Sequence, residues 1–242
     1  MTDKYNKRAK EALTDALRSV DWNNNVSQFL KNDSYSSDIA ICNFRLAVWA
    51  KQFETLDKGN PALSFIREMQ NAGHYVAALT SLALYKPAAS MMRITFDTSL
   101  YYTYFRTHPC ELATLSRDDS YFVWKNDIID YHKLHTPDFA ASQSCFGLIG
   151  NIKEWYARVS AIVHGQIPGA WVTAKSLAET SHNETVLPVV VKSFVEGEEL
   201  VHQLFLCTVG RELWNGFSSD SKRVLIAGLS GETKATLCLD AA

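Results

Sequence analysis

Two residues suited to phosphate and proton chemistry lie six positions apart near the end of one amphipathic segment. They are Arg158 and His164, in the run Tyr156-Ala157-Arg158-Val159-Ser160-Ala161-Ile162-Val163-His164-Gly165. An imidazole exchanges a proton near neutral pH. A guanidinium fork matches the oxygens of a phosphate. Gly165 and Pro168 are stop signals, so His164 is predicted at a helix C-terminus, where the last carbonyls favour a cation. Arg158 lies roughly 9 Å back along the axis, a gap its side chain could largely close. Ser160 stands one turn before His164. A plainer account also holds: Arg158 pairs with Glu154 four residues earlier, and His164 only caps the last turn.

A second set lies upstream. Arg93, Asp97, Tyr101, Tyr104 and His108 recur at helical spacing and share one stripe. The stripe reads either as a second wall of the same pocket or as an Arg–Asp pair beside packed aromatics. As a pocket wall, Arg93, Asp97 and Tyr101 would join Tyr156 as substrate-binding residues. His132 and His135, with Asp127 and Asp130, show no clean two-His-plus-carboxylate spacing, so no metal site and no cofactor are expected. Phosphate-binding glycine loops and the GxSxG hydrolase elbow are missing from the sequence.

The elements that must position these residues are helices. Apolar residues recur every three or four positions along nearly the whole chain, and strand-like alternation is almost absent. Helices are predicted over 4–20, 38–56, 60–85, 87–108, 117–133, 144–164 and 184–216, with a short one at 222–229. Segments 22–34 and 165–183 read as a polar linker and a loop. On 144–164 the apolar stripe is Cys145, Leu148, Ile149, Ile152, Tyr156, Val159 and Val163. Short links between long helices predict an all-α, antiparallel bundle.

The 242 residues are 47% apolar and 21% charged, enough for a large core and too few charges for a disordered chain. With 24 basic and 26 acidic residues there is no general basic excess, which argues against a nucleic-acid coat protein but not against a local grip on RNA. Five scattered cysteines, a polar N-terminus and no long apolar run predict a cytoplasmic protein outside the membrane. The segment 187–213 is apolar around much of its circumference. It must be buried, either inside the domain or against a partner.

The run from Tyr156 to Gly165 resembles the terminal-helix motif of HEPN domains, in which four to six residues separate an Arg from a His. The form with Tyr, Ser and His-Gly looks like a subgroup found in prokaryotic defence and toxin-like proteins, and Pro87–Pro109 resembles the long helix before the motif. The resemblance covers roughly residues 60–165. It explains nothing before 60 or after 170, so the chain is divided into N-terminal helices over 1–59, a HEPN-like core over 60–170, and a long helix and tail over 171–242 that complete the same domain. It implies metal-independent RNA cleavage by 2′-hydroxyl attack, with His164 as acid/base, Arg158 as phosphate clamp and Ser160 orienting one of them. It also implies a homodimer or heteromeric complex in a toxin–antitoxin or antiviral system. Val159 stands where the family often carries a polar residue. That departure keeps open a non-catalytic helical subunit that scaffolds or regulates a partner.

Overall fold

Punctuation by Gly, Asn and Pro cuts this chain into more helices than the periodicity alone suggests. The computed structural model describes residues 2–239, and among them every regular element is helical. In order these are α1 (Thr2–Ser19), α2 (Trp22–Lys31), α3 (Asp33–Leu56), α4 (Leu63–Ser81) and α5 (Tyr85–Phe105). Then come α6 (Pro109–Leu115), α7 (Lys125–His135), α8 (Phe139–Phe146) and α9 (Leu148–Val163). A 3₁₀ turn at Leu177–Glu179 precedes α10 (Leu187–Thr208), α11 (Gly210–Gly216), α12 (Ser219–Leu225) and α13 (Gly231–Leu237). None of these helices is long and apolar enough to cross a membrane.

Four expectations are corrected, the first being the single helix over 184–216, which is α10 and α11 divided at Gly210 (φ +68°). Residues 22–31 are helical and not a linker. Asp21 caps α2 by accepting from the Asn24 amide, and Asn32 caps α3 by accepting from Tyr35. The asparagines that suggest a linker are a cap and helix positions, and Asn25 is buried, accepting the His182 backbone N–H. Residues 117–124 are irregular, with helix only on either side, in α6 and α7. The segment 139–163 is two helices, because Gly147 adopts φ +62° and ends α8.

α5 sits at the centre, packed against α4, α10, α9 and α7. It joins α4 through residues 82–84 alone, with Ala83 at φ +60°. Three residues cannot carry the chain back along α4, so the two helices run antiparallel. α10 is the other internal helix, against α3, α5, α8 and α9. Its apolar circumference is thus used within the chain: Val190, Phe194, Val201, Leu204 and Phe205 are all buried. One aromatic layer links the three, with Trp49 and Phe53 of α3, Tyr102 of α5 and Phe205 of α10 in ring contact. Two polar pairs join α3 to α10 beside this layer. The Arg45 Nε donates to Glu198 at 2.9 and 3.0 Å, and the Trp49 indole donates to His202 Nδ1 at 3.0 Å. Glu198 is fully buried, so removing Arg45 would strand a charge at a cost of about 3–5 kcal/mol.

Candidate functional site at the α5–α9 crossing

The rotation of α9 decides which of its residues meet. Leu148, Ile152, Trp155, Val159 and Ile162 form the buried stripe, with Ile149, Tyr156 and Val163 half-buried beside it. The stripe is therefore turned from the predicted one, and Trp155 is its anchor. Its indole N–H donates to the Ser193 carbonyl at 2.8 Å, and the ring lies on Phe96 of α5. Gly197 of α10 makes room for it: a Cβ there would sit 2.7 Å from Trp155 Cε2 and closer still to Cζ2. Cys145, placed on the predicted stripe, is exposed on α8.

With Trp155 fixed, the two motif residues diverge. Successive residues turn by about 100°, so six positions separate Arg158 and His164 by about 120° around the axis. Arg158 ion-pairs with Glu196 of α10, on the groove side lined by Asn151, Glu154 and Gln203. The anticipated Arg158–Glu154 pair is replaced by this contact. His164 instead meets Arg93 of α5, with Arg93 Nη1 3.0 Å from His164 Nε2. Ser160 takes part through its carbonyl, which accepts the His164 N–H at 2.9 Å. Its Oγ is buried and has no hydrogen-bond partner among the described residues, so it orients neither side chain.

His164 ends α9 as the sequence predicts. Gln166 N–H reaches the Ala161 carbonyl and Gly165 N–H the Ile162 carbonyl, with Gly165 at φ +69°. This is a Schellman ending, and it holds the exposed imidazole at the rim of α5.

Beneath it lies a network built from the upstream stripe. Arg93 Nη2 donates to the Tyr156 hydroxyl, and its guanidinium carbon sits 4.6 Å from the ring centroid. Asp97 lies 3.6 Å from Arg93, and the Tyr156 hydroxyl is 3.5 Å from its Oδ2. Lys125 Nζ lies 5.0 Å from the centroid of the same ring. Burial raises the Asp97 carboxyl above its ordinary range, against the opposing pull of Arg93, the Tyr156 hydrogen bond and Lys125. Burial likewise lowers the Lys125 ammonium, with Asp97 pulling the other way. Lys86 completes the rim, its Nζ 3.5 Å from where a Cβ on Gly165 would stand. Arg93 and Lys125 thus flank Tyr156, Arg93 also touches His164, and Lys86 stands beside Gly165.

Of the predicted residues, the structure brings Arg93, Asp97, Tyr101, Tyr156 and His164 to one region and turns Arg158 away. Arg93, Asp97, Tyr101 and Tyr156 line one cleft of about 690 Å³. Tyr104 and His108 leave the stripe. They stack on each other at 4.1 Å and face Tyr131 of α7, with the Tyr104 hydroxyl on Glu111. Sequence reasoning missed Lys86 and Lys125. Lys86 stands seven residues before Arg93, two turns along the same face, so its position was readable. Lys125 opens α7, a helix separate from α5 and α9, so spacing along those helices carries no signal for it.

His132 is buried between the Thr103 and Thr136 hydroxyls, and among the described residues no group of three or more His, Cys, Asp or Glu could hold a metal ion. No protein-family model matches this chain, and no curated protein or solved structure matches it either.

Proposed function

We propose that the Arg93–His164 pair forms the cleaving site of a HEPN-like, metal-independent endoribonuclease. The observation that carries this reading is the 3.0 Å contact between Arg93 Nη1 and His164 Nε2 at an exposed rim. A guanidinium has only donors, so His164 Nε2 is the acceptor and its proton resides on Nδ1. When a bound phosphate draws the Arg93 N–H away from Nε2, the freed Nε2 lone pair can take the proton of a ribose 2′-hydroxyl. The 2′-oxygen then bonds to the adjacent phosphorus, the bond to the 5′-oxygen breaks, and that oxygen leaves with a proton from solvent. A 2′,3′-cyclic phosphate and a 5′-hydroxyl result, and His164 returns its proton to water. Arg93, Lys86 and Lys125 would meet the negative charge gathering on phosphorus. The family resemblance assigns the clamp to Arg158, but the contacts around His164 favour Arg93. The biological setting proposed with it is a cytoplasmic toxin or antiviral effector, working as a homodimer or with a partner chain.

Purified protein incubated with RNA in excess chelator should yield cyclic-phosphate ends, and His164→Ala should not. Equal background from both proteins would sink the reading.

The second reading is a non-catalytic helical subunit of such a complex. The Arg158–Glu196 ion pair and the exposed apolar Ile41, Phe44 and Tyr75 favour it. Expression of the chain alone separates the two. The nuclease reading expects slowed growth that His164→Ala relieves, whereas the subunit reading expects growth indifferent to that substitution.

A further inference from the structure

The cleft that holds Arg93 and Tyr156 has a second wall that the cleavage chemistry does not use. Residues 121–124 run without helix into α7, and Trp124 is extended at φ −71°, ψ 145°. This segment presents Phe122 and Trp124 to solvent at 54% and 65% exposure, their ring centroids 4.6 Å apart and nearly perpendicular. Two large aromatics left in water beside a cavity are unfavourable unless something covers them. Tyr101 lines the same cleft from α5, half-buried against Phe65 and Phe105. The cleft's 690 Å³ falls in the range of sites for small organic groups.

We propose that this cleft is a base subsite, in which one unpaired nucleobase of single-stranded RNA stacks against Trp124 while Arg93 and Lys125 hold its phosphate. The inference rests on the nuclease reading for its location beside the scissile bond, but the stacking itself does not require cleavage. The occupant follows from what shares the cleft. An aromatic surface alone would accept any flat apolar group. Here two cations, Arg93 and Lys125, flank the Tyr156 ring at 4.6 and 5.0 Å, next to the aromatic wall. A flat ring joined to a nearby anion is the chemistry of a nucleotide. A duplex keeps its bases stacked inside and cannot offer one, so the substrate class is single-stranded or looped RNA.

The test uses a short 2′-O-methyl oligonucleotide carrying one 2-aminopurine, which 2′-hydroxyl attack cannot cleave. Titration with the full chain should quench the 2-aminopurine fluorescence. Trp124→Ala should weaken binding roughly tenfold or more and abolish the quench, while Trp124→Phe should restore much of both. The same oligonucleotide annealed to its complement should not quench. Trp124 is largely exposed, so these variants should melt like the parent. In parallel, on cleavable RNA, Trp124→Ala should raise KM while His164→Ala lowers kcat. Quenching without any cleavage would leave the subsite standing and remove the nuclease reading. Cleavage with no quench, with an abasic nucleotide bound as tightly as 2-aminopurine, would overturn the subsite alone.

Discussion

Arg93 and Arg158 offer the same functional group and differ in what surrounds it. Arg158 is ion-paired with Glu196, about 120° around α9 from His164. Arg93 touches His164, Tyr156 and Asp97 together, and its Nε is buried with no hydrogen-bond partner among the described residues. Arg93→Ala should therefore lower the single-turnover cleavage rate about 10²-fold or more, the scale seen when a charge-stabilising donor is removed. Arg93→Lys should recover little, because an ammonium loses the fork that bridges imidazole and phenol. Arg158→Ala should stay within a few-fold of the parent. A rate lost with Arg158 and kept without Arg93 would return the clamp to the motif arginine. At this scale the sequence was informative about membership and misleading about pairing. Arg93, Asp97 and Tyr101 are legible as one stripe from their spacing. The divergence of Arg158 and His164 follows from six residues at about 100° each, a signal the linear motif conceals.

Helices position the site through one close approach. Trp155 reaches the Ser193 carbonyl only because Gly197 lacks a side chain, and that contact sets the rotation of α9. Gly197→Ala should improve intrinsic helix propensity by about 1 kcal/mol, yet it forces a methyl into the indole. Steric conflict should win, with a net destabilisation of about 1–3 kcal/mol by urea unfolding. Cleavage should fall too if α9 turns, whereas an unchanged urea midpoint would show that the ring yields freely. At the helix end, Gly165 at φ +69° holds the Schellman turn that fixes His164. The Gly165 stop and the helix end at His164 were readable from residue types. Gly147 was not read as a break, since apolar residues continue at helical spacing on both sides of it. Trp155 as anchor was hidden because its partner glycine lies 42 positions later in the chain.

Across the whole molecule, buried imidazoles link stability to pH. Burial, reinforced by His108, pushes the His132 ring down to about 4, and burial also holds His202 well below its ordinary value. Each folded-state value lies below the unfolded one, so the unfolded chain binds more protons between them. The stabilising contribution is fully present above pH about 6.5 and is lost as pH falls toward 4. For His132 the loss is on the order of 3 kcal/mol. The raised Glu198 carboxyl acts with the opposite sign, so the diagnostic quantity is a difference. Urea midpoints should drop more steeply between pH 6.5 and 4 for the parent than for His132→Gln. Parallel slopes would show that His132 is not held neutral.

The sequence by itself determined that the chain is helical, that His164 ends a helix at Gly165, and that Arg93, Asp97 and Tyr101 share a face. Each of these is set by neighbours within a few turns, where helical geometry leaves little freedom. Only the tertiary structure decided that 187–208 is an internal helix, because burial against the domain and burial against a partner leave the same apolar signature. It likewise decided that His164 meets Arg93 and that Arg158 meets Glu196. That choice depends on the rotation of α9, which is set by Trp155 against Gly197 and Phe96 of other helices. Short-range pattern constrains each helix and is silent on its angle about its own axis.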